Sequence, residues 1–257
     1  MFKKILLAGI GLSASAAAYA VPIVSGTSFD GDNASLQCLF NGSAYAPSCA
    51  GASGWITSGP ALDPNEEGAS RGMWTVGATG AAISRLVIEI AGNASLNSFG
   101  IYSIHDPTVM LEIFNGAQSD GALALIEYTI DGRFAKNFDY ANAVDLGGST
   151  FGFYLSGPNG TFYSQSSLNP NGDTQMLAFQ GGEGRTVDFR GTGVSSPWLE
   201  NEWLLAWEDL AYQDSDADFN DLVVLVESVT PVSEPSTLAL LGCSLIVVAR
   251  MRRSRRR

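Results

Sequence analysis

Six carboxylates fall between Glu208 and Asp221, and an apolar run, Leu222-Val223-Val224, follows at once. Asp214, Asp216, Asp218, Asn220 and Asp221 are short side chains that end in oxygen. Closely spaced oxygens of this kind suit a hard cation such as Ca²⁺, which takes six to eight of them in a flexible geometry. Without a cation the like charges repel one another, and a bound ion removes that penalty. The spacing is not that of an EF-hand. With Asp214 as position 1, position 6 is Phe219 instead of Gly and position 12 is Leu225 instead of Glu. Phe219 is expected to enter the core, which in an extended chain leaves Asp218 and Asn220 sharing the opposite face. The turn Asn169-Pro170-Asn171-Gly172-Asp173 can add oxygens from a second loop. The same residues also suit a solvated acidic turn capped by its own Asx side chains. Spacing alone leaves both readings open.

Other chemistries find less support. His105 is the single histidine and lies in the turn Ile104-His105-Asp106-Pro107. Zinc ligation of the usual kind needs His or Cys that the chain lacks. No G-x-S-x-G elbow is present; Gly51-Ala52-Ser53-Gly54 is a Gly/Ser loop. The expectation is therefore a non-enzymatic protein. Two alternatives stay open. A carbohydrate-binding module is favoured if any of Trp55, Trp74, Trp198 and Trp203 shows a flat ring to solvent. A glycoside hydrolase needs only two facing carboxylates, and 26 acidic residues offer many accidental pairs.

The elements that must position the acidic stretch read as β-structure. Apolar alternation and β-branched residues mark strands over 83–90, 97–104, 108–114, 123–130, 150–155, 161–164, 176–180, 202–207 and 222–229. Asn115-Gly116 is a strong turn signal and predicts that 108–114 pairs with 123–130. Gly157-Pro158-Asn159-Gly160 predicts a hairpin between 150–155 and 161–164. No long segment of 3.6-residue period intervenes. The fold expected is all-β, an antiparallel jelly-roll-like β-sandwich with its core over 95–229. Residues 21–94 form a loop-rich N-terminal part, with short edge strands at Ser35–Phe40 and Trp55–Thr57.

The ends read as export devices. Residues 1–20 carry Lys3 and Lys4, an apolar run from Ile5 to Leu12, and Ala18-Tyr19-Ala20 before Val21. That is a secretory signal peptide with cleavage between Ala20 and Val21. Six basic residues remain between the two ends against 26 acidic ones, a formal charge of −20. Such a chain repels nucleic acid and anionic lipid and attracts divalent cations. Cys38 and Cys49 lie close enough in sequence to close a small loop in an oxidising compartment, whereas Cys243 has no evident partner. The apolar run within Ser236–Ala249 spans only about 21 Å as a helix, short of the roughly 30 Å of a bilayer's hydrocarbon. The six arginines that follow would stay cytoplasmic and leave the acidic body outside.

Two resemblances add to this reading. Glu234-Pro235-Ser236-Thr237-Leu238-Ala239-Leu240-Leu241-Gly242, the apolar helix and the terminal Arg cluster resemble the PEP-CTERM sorting signal of Gram-negative, biofilm-forming bacteria. Position 233 is Ser where that family usually has Pro. The resemblance implies that residues 230–257 are recognised by an exosortase and removed near Glu234-Pro235. The chain would be anchored transiently in the inner membrane, then released to the cell surface or the extracellular polysaccharide matrix. Its implied partners are the secretion machinery, the exosortase and exopolysaccharide or surface glycans. Separately, Phe99-Gly100-Ile101-Tyr102, Trp207-Glu208-Asp209-Leu210 and Asp216 to Val224 look like a bacterial extracellular domain of unknown function that would cover roughly 95–229. That family is often found in calcium-rich surface proteins. The role expected of the whole is structural or adhesive, with Ca²⁺ as cofactor.

Overall fold

The computed structural model describes residues 24, 35–44, 49–77, 80–89 and 94–232, with backbone alone at 84–89 and 94. Ala20, Val21, Glu234 and Pro235 lie outside these residues. Among the described residues no helix is long and apolar enough to cross a membrane.

The chain is all-β and its strand pairs are antiparallel. A three-stranded sheet has the order β1 (Ile56–Ser58), β11 (Thr186–Val187), β12 (Ser196–Pro197). One six-stranded sheet has the order β10 (Met176–Gln180), β13 (Glu202–Trp207), β14 (Leu222–Glu227), β3 (Ala81–Glu89), β6 (Leu123–Tyr128), β7 (Phe134–Lys136). The other has the order β15 (Val229–Val232), β2 (Met73–Val76), β8 (Thr150–Gly157), β4 (Ser98–Ser103), β5 (Met110–Asn115), with β9 (Gly160–Tyr163) paired to β8. The inner faces of the two large sheets share one aromatic core. Trp74 meets Trp203 at 5.3 Å between ring centroids, and Phe99 meets Trp207 at 6.1 Å.

β13 explains itself. Trp203, Leu205 and Trp207 point into that core, while Leu204 and Ala206 point the other way into a second one. A strand covered on both faces must be apolar throughout, which is why Trp203 to Trp207 is a continuous run. The second core is closed by Trp55, Val187, Trp198, Phe219 and helix α1 (Leu36–Asn41). A short helix, α2 (Pro64–Glu67), follows β1. Cys38 and Cys49 are joined by a disulfide that staples α1 to the loop after it.

Three expectations are corrected. Ser35–Phe40 is helix, not an edge strand. Ser35 Oγ accepts the Cys38 N–H at 3.4 Å as an N-cap, and Leu36, Leu39 and Phe40 fall on one helical face directed at the second core. Residues 108–114 do not pair with 123–130. The first of these strands is the edge β5, bonded to β4, and the second is β6, bonded to β3 and β7. The Asn115-Gly116 turn opens a longer connection, in which Gln118 Oε1 accepts the Asn115 N–H at 2.6 Å, and the chain crosses from one large sheet to the other. The strand over 222–229 is broken at Ser228, whose φ of 60° turns the chain out of β14 and into β15 of the opposite sheet. The 150–155/161–164 hairpin forms as expected, closing at Gly157 and Gly160.

Candidate metal centre

β13 ends at Trp207 and β14 begins at Leu222, and these two residues are paired across the sheet. The fourteen residues 208–221 therefore leave and return at the same point. Phe219 is 0 % exposed and plugs the loop into the second core beside Ala217, with the Tyr212 ring 6.5 Å away. Ala217 and Phe219 take left-handed φ values of 59° and 56°. Such strain in non-glycine residues persists only where surrounding contacts over-determine the backbone.

Carboxylates supply those contacts at the neck. Glu208 is 0 % exposed; its N–H donates to Gln175 O at 3.1 Å, and its Oε1 accepts the Phe219 N–H at 2.5 Å. Asp221 Oδ2 accepts the Asp209 N–H at 2.9 Å, and Asp209 Oδ2 accepts Asn97 Nδ2 at 3.2 Å. Gln175 Nε2 donates to Leu210 O. Glu208 Oε2 makes no hydrogen bond, and the Ser215 hydroxyl, near enough to act on this carboxyl, donates to Tyr212 O at 3.2 Å.

One carboxylate oxygen from each of Glu208, Asp216 and Asp218 lies within 4.8 Å of the others. Two oxygens on opposite sides of one Ca²⁺ stand about 5 Å apart, since each Ca–O contact is about 2.4 Å. The spacing thus fits a single ion. Asp216 is exposed and gives the site an opening to solvent, while Glu208 and Asp218 are buried. An all-oxygen donor set suits Ca²⁺, Mg²⁺ or Mn²⁺ and not a soft metal. Burial pushes the Glu208 carboxyl up to about 8, with the Asp221 charge adding to the effect and the Phe219 N–H opposing it. Burial also raises Asp218 to about 7, assisted by the Asp216 charge. Asp221 rises to about 7 through burial, to which the Asp209 and Asp216 charges contribute.

Of the five residues expected as ligands, Asp216 and Asp218 converge. Asp221 closes the neck. Asn220 lies between them and is turned onto Asp218, donating its N–H to Oδ1 at 3.2 Å and its Nδ2 to Oδ2 at 2.6 Å. The left-handed Phe219 makes this local pairing, so Asp218 and Asn220 do not line the face of an extended strand. Asp214 is exposed on the outer turn, where its N–H donates to Ala211 O at 2.7 Å. The 169–173 turn reaches the loop through Asn171 Nδ2, which donates to Gln213 Oε1 at 3.4 Å. Glu208 was not among the expected ligands. The signal that points to it is a carboxylate placed directly after a strand with no polar face.

Residues 139–229 match the family model described as Domain of unknown function (DUF4114). The matched stretch runs from before β8 into the start of β15 and contains the whole acidic loop. Comparison with curated proteins and with solved structures returned no match.

Proposed function

We propose that this chain is an exported, non-enzymatic, jelly-roll-like β-sandwich that binds Ca²⁺ at its acidic turn and serves as a structural or adhesive component of the cell surface or extracellular matrix. The observation that carries this reading is the convergence of Glu208, Asp216 and Asp218 on one another inside a largely acidic body. Ca²⁺ is the divalent cation that sensor and extracellular modules bind in the micromolar to millimolar range. The signal-like N-terminus, the sorting-like tail with Glu234 and Pro235, and the Cys38–Cys49 disulfide all accord with delivery to an oxidising compartment. Secretion machinery and an exosortase are the partners this delivery calls for, and exopolysaccharide or surface glycans those met afterwards. The non-enzymatic reading is supported by the enclosure of Glu208, which keeps its carboxyl from a polymeric substrate. A sugar-binding role lacks its platform at the tryptophans named for it. Trp55, Trp74, Trp198 and Trp203 are each at most 8 % exposed.

Thermal unfolding in millimolar Ca²⁺ and in EGTA tests the reading. A ligand that binds only the folded state raises the midpoint, by the equivalent of about 2.7 kcal/mol at a hundred times its Kd. An unchanged midpoint refutes the cation role.

A further inference from the structure

We infer that Glu208 is the buried anchor of the cation and that the ion it shares with Asp216 and Asp218 acts as a latch, holding the 208–221 loop shut over the second core. This rests on the Ca²⁺ reading above and adds the ligand set and the consequence of binding.

The argument is geometric. The neck is closed by two carboxylate-to-amide bonds, Glu208 Oε1 to the Phe219 N–H and Asp221 Oδ2 to the Asp209 N–H. Both cross the loop, so both are lost together if it opens. Glu208 Oε2 is an enclosed acceptor without a hydrogen bond, the nearby Ser215 hydroxyl being engaged by Tyr212 O, and a second such oxygen, Gln175 Oε1, lies at the base of the same loop. Leaving buried acceptors unmade is expensive, whereas a cation satisfies them directly. Glu208 holds the loop's backbone through Oε1, and its carboxylate offers an oxygen within 4.8 Å of those of Asp216 and Asp218. An ion there joins the end of β13 to the outer half of the loop, which carries Asp216 and Asp218. Those residues flank Ala217, and Asp218 immediately precedes Phe219; these are the two buried apolar side chains with which the loop, together with the partly buried Tyr212, covers the second core. Ion binding and core closure are therefore one event. The left-handed Ala217 and Phe219 supply stored strain that favours opening when the ion leaves.

Hydrogen exchange on the full-length chain, with Ca²⁺ binding followed by calorimetry on the same preparation, separates the possibilities. With Ca²⁺, the amides of Asp209 and Phe219 are expected to slow at least about tenfold relative to EGTA, while those of β4 and β8 change less. Glu208→Gln and the exposed Asp216→Asn are each expected to weaken Ca²⁺ at least about tenfold; the second serves if the first fails to fold. Ca²⁺ binding with unchanged loop protection overturns the latch and leaves the cation role standing. Full affinity in Asp216→Asn overturns the ligand set. No binding at millimolar Ca²⁺ overturns the latch and the proposed function together.

Discussion

Phe219 shows how one residue ties the acidic loop to the rest of the molecule. Its ring is enclosed in the second core and its N–H is held by Glu208. Replacing it with Ala removes a buried aromatic and leaves a cavity, a loss of about 3–5 kcal/mol. Urea unfolding of Phe219→Ala against the parent should show that loss as a lower midpoint. Phe219 was legible from its sequence, an aromatic among acids just before an apolar strand. Glu208 was not singled out, because sequence shows where carboxylates are but not which of them are enclosed. Asp214 illustrates the converse, since it has the right side chain and spacing yet turns to solvent.

At the scale of the element, the 208–221 loop brings together three carboxyls whose folded values, about 8 for Glu208 and about 7 for Asp218 and Asp221, exceed their ordinary 4.5 and 3.8. Without a cation the folded chain holds more protons than the unfolded one between those limits. Stability is therefore fullest below the ordinary values and is lost as pH rises through about 7 and 8. In EGTA the urea midpoint should fall between pH 5 and pH 8.5, and Ca²⁺ should shrink the difference. This window lies above the range of Asp106 and Asp131, whose carboxyls are held low by hydrogen bonds from Thr108 and Thr129. Strands with a clear pattern, such as β13 and the β8–β9 hairpin, could be read from sequence because burial and turn residues write directly into it. Helix α1 could not: six residues are too few for the period to show, and the helix depends on its Ser35 cap and on the second core. The partner of β5 was equally hidden, since a turn dipeptide specifies a reversal and not the sheet to which the chain returns.

For the whole molecule, the topology extends beyond the matched segment. β14 pairs with β3, and β8 pairs with β4 and β2; all three partners precede residue 139. The fragment 139–229 would leave β14 and β8 as open edges and strip Trp74, Phe99 and Ile101 from the shared core. It should show no cooperative thermal transition, whereas the full-length chain should. A cooperative transition in the fragment would mean that the matched segment folds without these partners.

The switch of sheets at Ser228 gives the molecule a directional response to mechanical load. A pull on the chain at Val232 acts first on β15, an edge strand whose four residue pairs with β2 can be peeled one after another. At Ser228 the load passes to β14, which lies between β13 and β3, so that freeing it breaks bonds to two neighbours instead of one. Force from that end therefore meets a weak element and then a strong one, and the strong one begins directly beneath the acidic loop.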